Sequence, residues 1–117
     1  MIFSRLHGRL GNQMFQYAAA RALAERLGTR VVLDDRMALH KGDGTLLRVF
    51  DLPELAEAPL PPAKHQRPLA YAAWRGLGKR PRIRRERGLG YNPDFANWSD
   101  DSYLHGYWQS ERYFTNI

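Results

Sequence analysis

His7-Gly8-Arg9-Leu10-Gly11-Asn12-Gln13 sets two glycines, a cation and two amides between a short apolar run and an alanine-rich one. Glycine lets a backbone approach a ligand closely. A helix that starts here would turn free N–H groups and positive partial charge toward an anion, and successive N–H groups in a turn can form an anion-binding nest. Asn12 and Gln13 add side-chain donors, so phosphate is the natural ligand. The string is neither G-x-G-x-x-G nor a P-loop ending in Gly-Lys-Ser/Thr. From the residues alone two readings stand: a structural turn, or a phosphate-holding loop built on Gly8, Arg9, Gly11, Asn12 and Gln13.

The flanking pattern says what must position such a loop. Met1 to Leu6 reads as a strand ended by the glycine turn. Asn12 has the residue type of a helix N-cap. From Gln13 to Leu27 the residues Met14, Phe15, Ala18, Ala19, Ala22 and Leu23 recur at helical spacing, and Gly28 supplies a stop. Arg30 to Asp34 reads as a second strand. Strand, turn, helix and strand in this span make a βαβ unit, hence a Rossmann-like parallel sheet with flanking helices. Ligands of such sheets bind at the carboxyl ends of the strands, where the glycine turn, Asp34 and Asp35 fall.

Farther on, Lys41 to Thr45 reads as a turn and Leu46 to Phe50 as a short strand. The span 53–68 holds five prolines and reads as an extended connector. Leu69 to Leu77 reads as a short helix, Asn92-Pro93-Asp94 as a turn, and Ser102 to Trp108 as a third strand.

The 117 residues suffice for one small domain, and 44% hydrophobic with 12% aromatic content excludes a disordered chain. The chain has no cysteine, which excludes a disulfide framework and a thiolate metal site. Charge inside MIFSRLHGR does not fit a signal peptide. No apolar run approaches the roughly 18 residues of a membrane span. The expected location is cytoplasmic, with peripheral attachment at the inner membrane face as the variant.

Two longer strings carry a family resemblance. GRLGNQMFQYAAARALA, Gly8 to Ala24, resembles the opening G-x-LGNQMFQYA segment of bacterial α-1,2-fucosyltransferases, glycosyltransferase family 11. YLHGYWQSERYF, Tyr103 to Phe114, is similar to that family's YLDGYWQSEKYF, with His105 in place of Asp and Arg112 in place of Lys. RVVLDD and GLGYNPDF, Arg30 to Asp35 and Gly88 to Phe95, match in spacing and character. The resemblance implies the N-terminal, acceptor-side half of a GT-B-type enzyme. It implies transfer of L-fucose from GDP-fucose to the 2-hydroxyl of a terminal galactose in a surface glycan, with inversion and without a metal or other cofactor. The family's donor signature, His-x-Arg-Arg-x-Asp, follows the YWQSE segment. Here the nearest string, Arg82-Ile83-Arg84-Arg85-Glu86-Arg87, lies before GLGYNPDF and lacks both the His and the Asp. The expectation is therefore a domain spanning 1–117, truncated before that motif and inactive alone.

Under that resemblance the missing Arg-Arg pair would hold most of the pyrophosphate charge. The loop from Gly8 to Gln13 would close on it from the opposite side. A base for the acceptor hydroxyl would come from His7, Asp34, Asp35 or His105, and spacing singles out none. Tyr107, Trp108 and Gln109 would make a sugar platform, with core packing as the competing reading for the two aromatics.

The net charge of +6 is local. Arg75 to Arg87 carries seven Lys/Arg (Arg75, Lys79, Arg80, Arg82, Arg84, Arg85, Arg87) and one Glu, while the rest balances at eleven of each sign. The window reads as a basic loop. It is either simply solvated or drawn to an anionic membrane. A nucleic-acid role is disfavoured, because no aromatic interleaves the cations and no reading motif accompanies them. The rival functions are a non-catalytic remnant and a small basic module that binds polyanions or membrane surfaces.

Overall fold

A computed structural model describes residues 1–52, 55–88 and 90–114. Pro53 and Glu54 of the connector, Leu89 of the GLGYNPDF segment, and the last three residues of the 1–117 span lie outside the described residues. Four strands form one all-parallel sheet: β1 (Ile2–Arg5), β2 (Val31–Asp34), β3 (Arg82–Arg85) and β4 (Ser102–His105), in the order β2-β1-β4-β3. The helices are α1 (Leu10–Leu27), α2 (Arg36–His40), α3 (Leu46–Val49) and α4 (Pro68–Leu77). The α/β, Rossmann-like expectation holds. Among the described residues no helix is long and apolar enough to cross a membrane.

Strand residues alternate between two buried faces, as a parallel sheet requires. Ile2, Val31, Leu33 and Leu104 pack with Ala19, Ala20, Leu23 and Ala24 of α1. Phe3, Val32 and Tyr103 pack on the other face with Trp74 of α4. The alanines let α1 lie close to the sheet, and Ser4 donates from β1 to the Gln16 carbonyl at 3.2 Å.

The helix starts earlier than expected. Its N-cap is Arg9, not Asn12, and no side chain caps it. Gly8, at φ +77°, makes the chain reversal alone, which frees Leu10 to join the helix and pack against the core. The C-terminal stop is as predicted, with Gly28 in the left-handed region.

Three expectations are corrected. Leu46–Val49 is one helical turn rather than a strand. The outer edge of β2 is already met by Leu55, which bridges to Val31, and the start of α3 is fixed by its Leu46 N–H, bound to Gln13. The basic window is not a loop throughout. Arg82–Arg85 is the edge strand β3, with Ile83 turned into the core beside Phe3 and Trp74 and with Arg82 and Arg85 exposed, a common guard for a sheet edge. The third predicted strand ends at His105, not Trp108.

Candidate functional site

β1 and β4 lie side by side in the sheet, and the segments that follow their carboxyl ends stand where ligands of open α/β sheets bind. Five groups of the sequence analysis gather there. His7 follows β1, and its ring meets His105 edge-on at 6.0 Å between centroids and Tyr107 at 4.7 Å. Gln109 donates its amide to Asn12 Oδ1 at 2.8 Å. The two motif segments, far apart in sequence, thus meet side by side.

The glycine turn is narrow by construction. A side chain on Gly8 would approach Asn12 Nδ2 to 2.9 Å and Tyr107 to 3.5 Å. Gly11, by contrast, lies in the first turn of α1 with nothing within 4 Å of an added Cβ. Arg9 is exposed. The N–H groups of the first helical turn meet no capping side chain, which leaves them for solvent or a ligand.

Gln13 holds this turn rather than facing outward from it. The residue is fully buried. Its amide donates to the Gly8 carbonyl at 2.9 Å and the Gly44 carbonyl at 2.7 Å, and accepts from Leu46 N–H at 3.0 Å. Gln16, which the sequence reading did not single out, does the same for His7. Its Oε1 accepts from His7 N–H at 3.0 Å and its Nε2 donates to the His7 carbonyl at 3.2 Å. The signal was available: two amides three residues apart on the alanine-rich face of a helix must answer polar groups in the core.

Tyr107 is 43% exposed, Gln109 is exposed, and Trp108 is fully buried. Trp108 packs on Trp98 at 5.7 Å and Tyr113 at 5.3 Å. The expected three-residue platform is thus reduced to Tyr107 and Gln109, because Trp108 adopts φ +56° and turns inward. Glu86 secures that turn. Its carboxylate accepts from Tyr107 N–H at 2.9 Å and Trp108 N–H at 3.1 Å. The string Arg82–Arg87, set aside as a donor motif, therefore contributes a strand and this carboxylate. Glu86 was the one acid in the basic window, a signal that the charge count alone hid.

The candidate bases differ in availability. Asp34 is 3% exposed, and Arg36 Nε and Nη2 donate to its two oxygens at 2.9 Å each. Tyr103 also donates to Oδ2, at 2.6 Å. Burial would raise the Asp34 carboxyl, but the bonds from Arg36 and Tyr103 outweigh it and hold it below the usual range. Asp34 is ionised but fully engaged. Asp35 stands at the N-cap position of α2 without a side-chain bond there. Burial, then the Arg5 charge, lowers His105 to about 3, and its Nε2 faces Arg5 Nη1 at 3.0 Å. Burial, then Arg5, lowers His7 to about 4. Both rings are neutral at pH 7.

The basic residues spread over the end of α4, the turn after it, β3 and Arg87 beyond it. Arg75, Lys79, Arg80, Arg82, Arg85 and Arg87 are exposed, while Arg84 lies over Trp98 at 5.8 Å and donates to Ser102 Oγ at 3.3 Å. Among the described residues no three His, Cys, Asp or Glu side chains converge as a metal set. A scan against protein-family models finds none that matches this sequence, and neither curated proteins nor solved structures give a match.

Proposed function

We propose that the face at the carboxyl ends of β1 and β4 is the acceptor side and glycine-turn side of a fucosyl-transfer site, one half of a GT-B-type enzyme. The observation that carries the reading is the junction of the two segments that resemble the α-1,2-fucosyltransferases, made by the Asn12–Gln109 bond and the His7–Tyr107 contact. A galactose stacked on Tyr107 would have Gln109 and Asn12 amides at its hydroxyls. His7 is the base of this reading, because Asp34 and His105 are occupied by Arg36 and Arg5. A histidine held near 4 is a weak base, so positioning and charge stabilisation must supply most of the rate. By the same resemblance the pyrophosphate is held chiefly by a His-x-Arg-Arg-x-Asp string, which these 117 residues do not contain. Loss of such charged donors costs on the order of 3 kcal/mol or more in the barrier, so no transfer is expected from these residues alone. Isothermal titration with methyl β-galactoside and with GDP-fucose tests the reading. Saturable galactoside binding that Tyr107→Ala weakens about tenfold or more supports it. Identical heats for the variant and the parent chain would refute it. Salt-sensitive binding of heparin or anionic vesicles, with no sugar binding, would favour the basic module instead.

A further inference from the structure

α4 carries apolar residues on both of its faces. Tyr71 and Trp74 pack inward with Phe3 and Tyr103. On the outside Leu69 is 87% exposed and Leu77 is 69% exposed, and Ala72, Ala73 and Gly76 lie exposed between them. Arg75 is the only charged residue of the helix. A surface helix normally turns polar residues to water, so this outer face lacks what solvent would favour.

The flanks of the face carry charge of one sign. Residues 58–85 contain eight Lys/Arg and no Asp or Glu. Arg80 reaches Asp101 at 3.8 Å, and Arg84 lies over Trp98 on the α1 side of the sheet. Among the described residues Lys64, Arg67, Arg75 and Lys79 meet no carboxylate. Arg67 precedes the helix and Lys79 follows its C-cap. Lys64 and Arg75 stand on one open groove of about 450 Å³, floored by Pro68, Tyr71, Ala72 and Gly76. Arg75 lies over the Tyr71 ring at 5.8 Å, which holds its charge at the groove.

This combination selects the occupant. A second copy meeting the same face would set cations against cations. A nucleic acid would engage the cations but leave Leu69 and Leu77 in water. An anionic bilayer answers both: its headgroups match the Lys/Arg rim, and its acyl boundary takes the leucines. At ten residues and about 1.5 Å per residue the helix is far too short to span, and it fits the plane of the interface.

We propose that the outer face of α4 seats this chain on an anionic phospholipid surface. Leu69 and Leu77 enter the acyl boundary, and Lys64 and Arg75 hold a headgroup phosphate in their groove. The surface covers a face of the sheet, whereas Tyr107 stands beyond the carboxyl end of β4, so the inference does not rest on the sugar reading.

The test is flotation of the full chain with phosphatidylcholine vesicles, with and without phosphatidylglycerol. The expected result is partition onto the phosphatidylglycerol vesicles alone, weakening as salt rises. Leu69→Gln with Leu77→Gln should lower the partition coefficient about tenfold or more, and Lys64→Gln with Arg75→Gln should lower it about tenfold. Arg26→Gln with Arg48→Gln removes the same charge from the α1 side and should change it much less. Circular dichroism checks that each variant is folded, and Leu77→Gln alone serves if the leucine pair is not. Partition that the leucine variants leave unchanged, or that both arginine-containing pairs weaken equally, would overturn the proposal and leave net charge as the cause. Absence of partition would overturn it as well, and heparin binding in its place would assign the face to a polyanion.

Discussion

The Gln109 amide donates to Asn12 Oδ1 at 2.8 Å across ninety-seven positions of sequence. The bond joins the start of α1 to the turn after β4, and it closes over a frame that other groups hold in place. Gln13 fixes the Gly8 carbonyl, Gln16 fixes His7, and Glu86 fixes Tyr107 and Trp108. Each clamp lies behind the exposed groups, so its loss should disturb the face without touching it.

The two glycines of the turn should respond to alanine with opposite signs. Gly8→Ala forces a side chain into a φ of +77° and to 2.9 Å from the Asn12 amide. A left-handed conformation alone costs roughly 1–2 kcal/mol. Gly11→Ala adds a methyl in open space within a helix, which should stabilise by about 0.5–1 kcal/mol. Urea denaturation of the two variants measures both, and matching signs would count against this description of the turn.

Glu86→Ala removes the acceptor for two backbone N–H groups. Hydrogen bonds to a charged group are worth about 1.5–3 kcal/mol each, and Trp108 would lose support for its φ of +56°. The expected loss is at least about 1.5 kcal/mol, together with a changed near-ultraviolet signal from the aromatic cluster. Retention of both stability and signal would show that the turn holds itself.

Gln13→Leu should cost more than an ordinary surface change. It strips partners from the Gly8 and Gly44 carbonyls and from Leu46 N–H in a buried setting. Each orphaned group costs about 1–3 kcal/mol, so a loss of at least about 2 kcal/mol is expected in denaturant. Gln13→Glu should not restore it, because a carboxylate cannot donate to the two carbonyls.

Stability should fall in mild acid. A histidine whose folded pKa is lowered binds fewer protons than the unfolded chain between the two values, so stability rises with pH across that window. For His7 the window runs from about 4 up to 6.5, and for His105 from about 3 up to 6.5. The contribution is complete above 6.5 and declines as pH drops through the window. Asp34 has the opposite chemistry: its stabilisation holds above the unfolded value of 3.8 and is lost only below it. Loss that begins near pH 6 and is flattened in His105→Asn identifies the histidines. A profile flat down to pH 4 would contradict their burial as neutral rings.

The βαβ start was legible because its signals are local: apolar strands, a glycine reversal at Gly8 and a left-handed stop at Gly28. The edge strand β3 was hidden because only Ile83 of its four residues is apolar, and an outer strand leaves Arg82 and Arg85 in solvent. The buried face of α1 was misjudged by its chemistry. Met14 is 54% exposed while Gln13 and Gln16 are fully buried, since the core there contains backbone groups that need amides. Within the site, His7, Asn12, Tyr107 and Gln109 were visible as motif members. Arg5 and Glu86 were not, because their partners sit in other strands and turns that no spacing reveals, while Gln16 and Arg36 answer groups nine and two residues away and were passed over. Trp108 could be placed only once its backbone turned inward.

The most direct measurement is an amide NMR titration of the full chain with methyl β-galactoside and GDP-fucose. Shifts concentrated at Gly8 to Asn12, Tyr107 and the side-chain amides of Asn12 and Gln109 are expected, with the core amides of β1 and β4 unmoved. A folded spectrum in which those resonances stay fixed at saturating sugar, or in which only the exposed arginines from 75 to 87 respond, would contradict it.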